Sequence, residues 1–417
     1  MKSSGATIGG LLLTTLMACG GLEPTPANEI GAPAGRAASA LSSDCTGLVP
    51  GAVPSGFSTV VGLSDACAPM GATSDGLGNY SVGKTCGGSG FEIWNVVDAT
   101  GTRHPNNIFF RTTFDPKNER DERHVLPQPD GGFLAFHWDT ESTSSGFHRV
   151  VALRAYDGDG AQTGEHLFID LMGATGDSFP DRSWSIAPVI SGGAQVTHVS
   201  LPGDGTWHLS TQRYSQGASA LQGVQQLATA PNLSITPQKT LTGVATGGQA
   251  LIAWDNGTQG RAVWTDATGH LVGGTFALPF RVDKNTSVSP LLDGTLAFDQ
   301  AGDWEGAIAP GSHTMLPAPS WLSTRPGSSL FLVPGGRAHA LFTRAPGACQ
   351  AHFVIFAPAG NRCGAVDLPS ADADGCAFTA EVGRDGTVVV QGHTQFSETG
   401  DFPTQSVTQR FYPQLLR

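Results

Sequence analysis

One pattern of apolar and polar positions recurs along most of this chain. A short apolar stretch, often with proline, is followed by a Gly-rich turn and then by a strand of alternating apolar and polar residues. Asp-Gly and Gly-Gly pairs favour tight hairpins, because the central positions of such turns adopt positive φ. Each copy therefore predicts two antiparallel strands joined by a turn. The turns lie at Gly131–Gly132, Gly192–Gly193, Gly247–Gly248, Asp293–Gly294, Gly335–Gly336 and Asp385–Gly386, with a weaker copy at Gly76–Gly78.

The spacing of these hairpins predicts a repeated unit of four strands. From Gly78 to Gly386 the last turn glycines are about 51 residues apart on average. A further strand ending in a turn follows the hairpin, as at Val150–Gly158 and Arg261–Gly269, and a fourth closes the unit, as at His166–Leu171. No segment shows sustained helical periodicity, so the chain is predicted to be all-β.

Four strands per unit resemble the blade of a β-propeller, with a period near that of kelch repeats and above that of WD40 repeats. The resemblance is one of architecture only, because neither family's sequence signature is intact. It implies a propeller of seven four-stranded blades; six or eight blades, or paired β-sandwiches, are the alternatives. A sandwich pair does not explain a turn that recurs seven times, and a parallel β-helix has a shorter period.

The last repeat is one strand short. It offers strands around Phe378–Val382, Thr387–Gly392 and Val407–Tyr412 before the chain ends. A segment near Phe57–Val61 is therefore predicted to supply the fourth strand and to close the ring.

The N-terminus has the features of an export signal. One charge, Lys2, precedes a short apolar stretch, and Leu16-Met17-Ala18-Cys19 resembles the lipobox of bacterial lipoproteins. The resemblance implies that Cys19 is diacylated and becomes the first residue after cleavage. Gly20 stands where an Asp would oppose sorting to the outer membrane, so the resemblance also implies an outer-membrane or cell-surface location. The predicted organisation is a signal peptide (1–18), a flexible tether (19–43) and one propeller domain (44–417).

The composition of the chain restricts the kinds of partner that it is expected to bind. The net charge is −12, with 23 basic and 35 acidic residues, which argues against nucleic-acid binding. No run of 18 apolar residues occurs, so no helix is expected to span a membrane. An acidic chain is repelled by an anionic lipid surface, so membrane attachment is predicted through the N-terminal lipid only. No cofactor motif is present.

Six cysteines remain besides Cys19, and an exported chain makes disulfides the default. Three lie near each end of the chain, so complete pairing forces at least one bridge between the two ends. One possible pairing joins Cys349 to Cys363, Cys67 to Cys86 and Cys45 to Cys376. The absence of any C-x-x-C pair argues against a metal site. The six candidates are Cys45, Cys67, Cys86, Cys349, Cys363 and Cys376.

Aromatic and acidic residues recur after the second strand of several repeats. If the connections that carry them converge on one propeller face, they form a rim on which sugars can stack while carboxylates accept hydrogen bonds from hydroxyls. The alternative is that each Trp fills the space between blades and each Asp caps a turn. The candidates are Trp138, Asp139, Trp254, Asp255, Trp304 and Glu305.

Two function classes follow. The first is a lipid-anchored envelope propeller that binds a protein or glycan, or serves as a scaffold, with no catalytic residue assigned and the oligomeric state left open. The second is a surface glycosidase or polysaccharide lyase, in which Asp139 and Glu141 are candidates for a general acid and base. Asp157-Gly158-Asp159-Gly160 lacks the acidic residue that would complete an EF-hand and is predicted to be a turn.

Overall fold

The computed structural model describes part of the chain, and the lipobox and tether lie outside it. The chain divides into two units, Met1–Leu41 and Ser42–Arg417, and every described residue belongs to the second. The described ranges are 45–53, 56–62, 67–74, 79–86, 91–98, 103–111, 124–143, 146–168, 184–200, 206–230, 240–283, 285–344, 350–369, 378–392 and 406–416.

The described strands form seven four-stranded sheets, here sheets I to VII. Sheet I contains β2 (Cys67–Ser74), β3 (Asn79–Cys86), β4 (Phe91–Asp98) and β5 (Arg103–Arg111); sheet II contains β6 (His124–Pro127), β7 (Phe133–Thr143), β8 (Gly146–Tyr156) and β9 (Gln162–Phe168). Sheet III contains β10 (Trp184–Pro188), β11 (Ala194–Ser200), β12 (Trp207–Tyr214) and β13 (Gln225–Ala230); sheet IV contains β14 (Thr240–Val244), β15 (Ala250–Asp255), β16 (Gly260–Thr265) and β17 (Leu271–Ala277). Sheet V contains β18 (Thr286–Pro290), β19 (Leu296–Gln300), β20 (Asp303–Ile308) and β21 (Met315–Leu316); sheet VI contains β22 (Ser329–Leu332), β23 (His339–Arg344), β24 (Gln350–Phe356) and β25 (Arg362–Pro369). Sheet VII contains β26 (Phe378–Val382), β27 (Val388–Gly392), β28 (Ser406–Tyr412) and β1 (Phe57–Gly62).

Helical segments in the described part of the chain are short and include an α-helix at Ser320–Ser323 and a 3-10 turn at Pro334–Gly336. No helix among the described residues is long and apolar enough to cross a membrane.

Each sheet is an antiparallel meander, and the turn glycines read from the sequence explain its hairpins. In the turn after β26, the Gly386 N–H donates to the Gly383 carbonyl, and the Gly383 N–H donates to the Thr387 carbonyl. Gly386 has φ +77°, a conformation that only glycine adopts without steric cost. The same pair of hydrogen bonds closes the turns after β6, β10, β14 and β18, with Gly131, Gly192, Gly248 and Gly294 at the positive-φ position.

The sheets are arranged as a β-propeller. The first strands of neighbouring sheets contact one another in chain order, from β10 to β14, β18, β22 and β26, and β2 contacts both β26 and β6. Sheets II and III share an apolar cluster that includes Leu153 and Val196. Neighbouring sheets cover one another in this way, and β15 is buried along its whole length.

The N-terminal segment supplies the fourth strand of sheet VII, as the sequence predicts. β1 pairs with β28 in antiparallel register from Phe57 opposite Phe411 to Gly62 opposite Ser406, which completes sheet VII. Just before it, Leu48 is buried in the cluster shared by sheets VI and VII, and the Arg337 guanidinium donates to the Thr46 carbonyl at 3.4 Å.

One disulfide joins the two ends of the chain, which confirms that expectation and corrects the suggested partners. Cys45 is bonded to Cys363, 318 residues away in sequence, so Cys363 does not pair with Cys349 and Cys45 does not pair with Cys376. Cys349 and Cys376 lie outside the described residues. Cys67 and Cys86 stand directly opposite each other on β2 and β3.

The meander gives the propeller two unlike faces. Turns between first and second strands, and between third and fourth strands, all lie on one face, named here the tight-turn face. Connections between second and third strands, and from each fourth strand to the next sheet, lie on the opposite, long-connection face. The connection at 317–328, between sheets V and VI, belongs to the second face.

Register irregularities protect the outer edge of several sheets. The pairing of third and fourth strands shifts register in sheets I, II, III, IV and VI. A bulge of this kind twists an edge strand away from a straight ladder and opposes pairing with another chain.

Candidate functional site

The topology brings the sequence-predicted rim residues to the long-connection face. Trp254 and Asp255 end β15, and Trp304 and Glu305 begin β20. All four positions flank a connection between second and third strands, so the loops converge on one face as expected. Trp138 and Asp139 lie on β7 and pair with Val151 and Val150 in register, but their side chains lie outside the described part of the chain.

The two described indole rings are packing elements, which corrects their expected role on an open rim. Trp254 is 4% exposed and lies in the apolar cluster between sheets III and IV, with Val199 and Leu209 of the preceding sheet. Trp304 is 8% exposed and packs between sheets V and VI, and its Nε1 donates to Ser328 Oγ at 3.3 Å. Neither ring offers a free face for a sugar, so the alternative interpretation of these tryptophans describes them.

Asp255 forms an ion pair with Arg281 on the long-connection face. Its carboxylate is buried and accepts hydrogen bonds from Arg281 Nε at 2.8 Å and Arg281 Nη2 at 3.2 Å. Oδ1 also accepts the Gly257 N–H at 2.6 Å, so the carboxylate caps the turn after β15 as well. The bidentate bond raises the pKa of the Arg281 guanidinium. The Arg281 side chain is 61% exposed, so a fixed positive group faces solvent beside the ring.

A group of carboxylates lies on the neighbouring sheet. Asp299 ends β19 and accepts the Gly302 N–H at 3.1 Å through Oδ1, whereas Oδ2 is buried with no hydrogen-bond partner. Burial raises the pKa of Asp299, and the charges of Asp303 and Glu305 raise it further. Glu305 is exposed on β20. Asp299 is thus a carboxyl with a raised pKa beside two further acidic residues.

The Asp255–Arg281 pair of sheet IV and the carboxylates of sheet V are linked by a hydrogen bond between the two sheets. The side-chain amide of Gln300 donates to the Arg281 carbonyl at 3.3 Å, joining β19 to the connection that leaves β17. One guanidinium and four carboxylates therefore stand on adjacent sheets. Such a set suits a ligand rich in hydroxyls, or one carrying an anionic group against Arg281. We name Arg281, Asp255, Asp299, Asp303 and Glu305 the Arg281 cluster.

Sequence reasoning found part of this cluster. Asp255 and Glu305 were predicted from their tryptophan neighbours, but Arg281 and Asp299 were missed. Arg281 lies in a connection with no motif, and Asp299 lacks an adjacent indole. A weak signal existed at Asp299, because a charged residue directly after the apolar run Leu296–Phe298 marks the end of a buried strand.

The Asp-Gly-Asp-Gly motif and the possible metal ligands were also compared with the structure. Asp157 opens the turn between β8 and β9, where its Oδ1 accepts the N–H groups of Asp159 and Ala161, so the Asp-Gly-Asp-Gly motif is a turn as predicted. Among the described residues, no three His, Cys, Asp or Glu side chains are grouped so as to hold a metal ion.

Comparisons with known proteins add similarity of fold alone. No protein-family model matches the chain, and no curated protein matches it. Among solved structures, the chain is similar to the Dos1 propeller, with 10% identity, a TM-score of 0.40, and coverage of 82% of this chain and 78% of that one. It is similar to a prolyl endopeptidase with 12% identity and a TM-score of 0.42, covering 78% of this chain and 46% of that one, so it spans about half the length of that enzyme. It is also similar to a Penicillium chrysogenum α-L-arabinanase complexed with arabinobiose, with 13% identity, a TM-score of 0.39, and coverage of 70% and 94%.

Proposed function

We propose that this chain is a lipid-anchored envelope propeller that binds a protein or glycan ligand on its long-connection face. The lipobox supports diacylation of Cys19 and an outer-membrane or cell-surface location. We also propose that sheets I to VII are the seven blades of one closed ring, which the succession of contacts between first strands supports. The anchor places the protein at a membrane, and the propeller supplies the binding surface.

The Arg281 cluster is the observation that carries the binding role. Its members lie at strand ends and turns that are fixed by backbone hydrogen bonds, so little ordering is needed when a ligand binds. The buried Asp255 carboxylate orients Arg281, and the Asp299 carboxyl keeps one oxygen without a partner. A glycan with a uronic acid or phosphate substituent fits this chemistry, because the guanidinium pairs with the anion and the carboxylates accept hydrogen bonds from hydroxyls.

A glycan array tests this proposal directly. The chain with Cys19→Ala, which cannot be acylated, is applied to neutral and acidic glycans, and Kd values for the hits are measured by calorimetry. Arg281→Gln is expected to weaken binding at least tenfold, because it removes the charge that Asp255 orients. Arg362→Gln is the matched control, since Arg362 is an exposed arginine at the tight-turn end of β25. The absence of hits on the array, or equal loss in both variants, contradicts the proposal.

An enzymatic role is the second candidate, and the raised pKa of Asp299 favours it. A carboxyl whose pKa is raised by burial and by the neighbouring Asp303 and Glu305 charges has the character of a general acid in glycoside cleavage. Incubation of array hits with the protein then yields shortened products, and Asp299→Asn abolishes their formation while binding persists. Binding without products supports the ligand-binding role instead.

A further inference from the structure

We propose that Asn256 is a site of autocatalytic modification. Its side-chain carbonyl carbon is attacked by the main-chain nitrogen of Gly257, and water then converts the residue to aspartate or isoaspartate. The site is the turn 256–259 between β15 and β16, directly after Asp255. The reaction consumes only water, so it requires no ligand of the Arg281 cluster.

The dipeptide in this turn favours ring closure. Of the ten asparagines in the chain, Asn256 alone is followed by glycine. A glycine has no side chain to obstruct the approach of its nitrogen to the preceding side chain. Gly257 is exposed, has φ +92°, and an added Cβ there would meet nothing within 4 Å. Open space therefore surrounds the residue whose nitrogen reacts.

The attacking nitrogen is already bonded to a carboxylate. The Gly257 N–H donates to Asp255 Oδ1 at 2.6 Å. Arg281 fixes the orientation of this carboxylate, donating from Nε to Oδ2 at 2.8 Å and from Nη2 to Oδ1 at 3.2 Å. A main-chain nitrogen becomes nucleophilic when it loses its proton, and a carboxylate in contact with that proton is placed to accept it. Asp255 is therefore the general base.

The carbonyl group under attack is held by three donors. Asn256 Oδ1 accepts the Thr258 N–H at 3.1 Å, the Thr258 hydroxyl at 2.9 Å and the Gln259 N–H at 3.0 Å. This oxygen becomes an oxyanion when the nitrogen attacks, and donors already directed at it stabilise the developing charge. The Asn256 N–H also donates to the Gln259 carbonyl at 3.2 Å, which fixes the turn. The turn thus supplies both a base and an oxyanion site.

The atoms balance with water as the only reactant added. The Gly257 nitrogen forms a bond to Asn256 Cγ while its proton passes to Asp255. The bond from Cγ to Nδ2 then breaks, and the departing nitrogen takes up that proton and leaves as ammonia, which yields a succinimide ring. Water opens the ring at one carbonyl to give aspartate or at the other to give isoaspartate. In sum, one amide and one water become one carboxylic acid and one ammonia.

The product alters the surface beside the Arg281 cluster. The turn gains a negative charge next to Asp255, and carboxylates this close oppose each other's ionisation. The new carboxylate also competes for the Arg281 guanidinium, and isoaspartate adds a methylene to the main chain of the turn. An anionic ligand at Arg281 is therefore expected to bind the modified protein more weakly. This consequence rests on the proposed function, whereas the modification itself does not.

Mass spectrometry over time tests the proposal. The folded Cys19→Ala chain is kept at neutral pH, portions are digested in mild acid, and fragmentation by electron transfer separates aspartate from isoaspartate. Asn256 is expected to convert at least tenfold faster than Asn285 and Asn361, which are also exposed but are not followed by glycine. Equal rates at the three asparagines overturn the proposal.

The unfolded chain separates the effect of the dipeptide from that of the fold. In urea the Asn256–Gly257 pair remains, but the base and the oxyanion donors are lost. The folded protein is therefore expected to convert Asn256 at least threefold faster than the unfolded protein at the same pH. A folded rate equal to or below the unfolded rate overturns the autocatalytic role of the turn.

Variants assign the individual roles, with the unfolded rate of each protein as its own reference. Thr258→Val removes the hydroxyl donor and is expected to slow the folded reaction at least threefold, whereas Thr258→Ser keeps the hydroxyl and the rate. Thr258 is exposed, so neither change disturbs the interior. Asp255→Asn removes the base and is expected to lower the folded rate to the unfolded one, with circular dichroism confirming the fold. An unchanged folded rate in Asp255→Asn, or equal rates in the two Thr258 variants, overturns the corresponding role.

Discussion

Two histidines lie uncharged in the interior of the ring. His198, on β11, is buried with its ring 5.3 Å from that of Phe168, and burial lowers its pKa to about 4, with His166 adding to the effect. His339 begins β23, and its Nε2 accepts the Leu292 N–H at 3.0 Å, which ties sheet VI to sheet V. Burial lowers the pKa of His339 to about 4 as well, against a small opposing effect of Asp293. Both rings contribute to stability only in their neutral form.

These two residues predict a fold that weakens in mild acid. The unfolded chain takes up a proton on each histidine near pH 6.5 but the folded chain only near pH 4, so stability falls as the pH drops from 6.5 towards 4. The loss approaches about 3 kcal/mol for each histidine. Urea unfolding between pH 4.5 and 7.5 measures it. His339→Gln keeps an acceptor for Leu292 without titrating and is expected to flatten the profile by about half.

A surface histidine provides the control for this profile. His270 is exposed in the turn between β16 and β17, so His270→Gln removes a histidine without changing the interior. Because burial raises the pKa of Glu381 to about 7 and adds stability as the pH falls, the decisive comparison is between wild type and His339→Gln: identical pH profiles of the two proteins contradict the assignment.

The burial and the pairing of single side chains could not be predicted from the sequence. The sequence predicts the position of Trp254 at the end of a strand, because Trp254 and Asp255 follow the apolar run 250–253. It does not predict the burial of Trp254, because the groups that cover it, Val199 and Leu209, belong to another sheet far away in sequence. Arg281 was missed for the same reason, since its partner Asp255 is 26 residues away in a different connection.

At the scale of the element, the hairpins were the most predictable feature. A turn such as 383–387 is specified by its own residues, because Gly386 needs a positive φ and the Asp385 carboxylate accepts the Thr387 N–H at 2.9 Å. Strand bounds in the last sheet were also close to the prediction, because the turn at Gly383–Gly386 and Pro413 mark where strands end. The cysteine partners were not predictable, since any two of six cysteines look alike until the ring places Cys45 beside Cys363.

The paired strands β2 and β3 predict a second disulfide. Cys67 and Cys86 are directly opposite in register, and opposed Cα atoms of antiparallel strands lie about 4.5–5.5 Å apart, within the range a disulfide spans. With Cys45 and Cys363 already bonded, this leaves Cys349 to pair with Cys376. Mass spectrometry of a non-reduced digest is expected to find peptides linked through Cys45–Cys363 and Cys67–Cys86. A peptide that links Cys349 to Cys363 contradicts this pattern.

At the scale of the whole molecule, stability depends on a junction between the two ends of the chain. Sheets I to VI are each formed by one continuous segment, but sheet VII needs β1 from the N-terminus. The Cys45–Cys363 disulfide and the burial of Leu48 hold the segment before β1 against sheet VI. Because each sheet covers its neighbours, an open sheet VII exposes apolar surface on both sides of the gap.

Breaking this junction is therefore expected to destabilise the entire ring. Replacing Cys45 and Cys363 together by Ser removes a constraint on a long loop and is expected to cost roughly 2–5 kcal/mol of unfolding free energy. Deleting residues 45–62 removes β1 and Leu48 as well, and is expected to lower the melting temperature further than the double substitution does. Deleting residues 20–41, which lie outside the second compact unit, is the control and is expected to leave the melting temperature unchanged. Calorimetry compares the three proteins with the Cys19→Ala chain. Equal melting temperatures after loss of 45–62 and of 20–41 would show that the ring does not depend on its N-terminal strand.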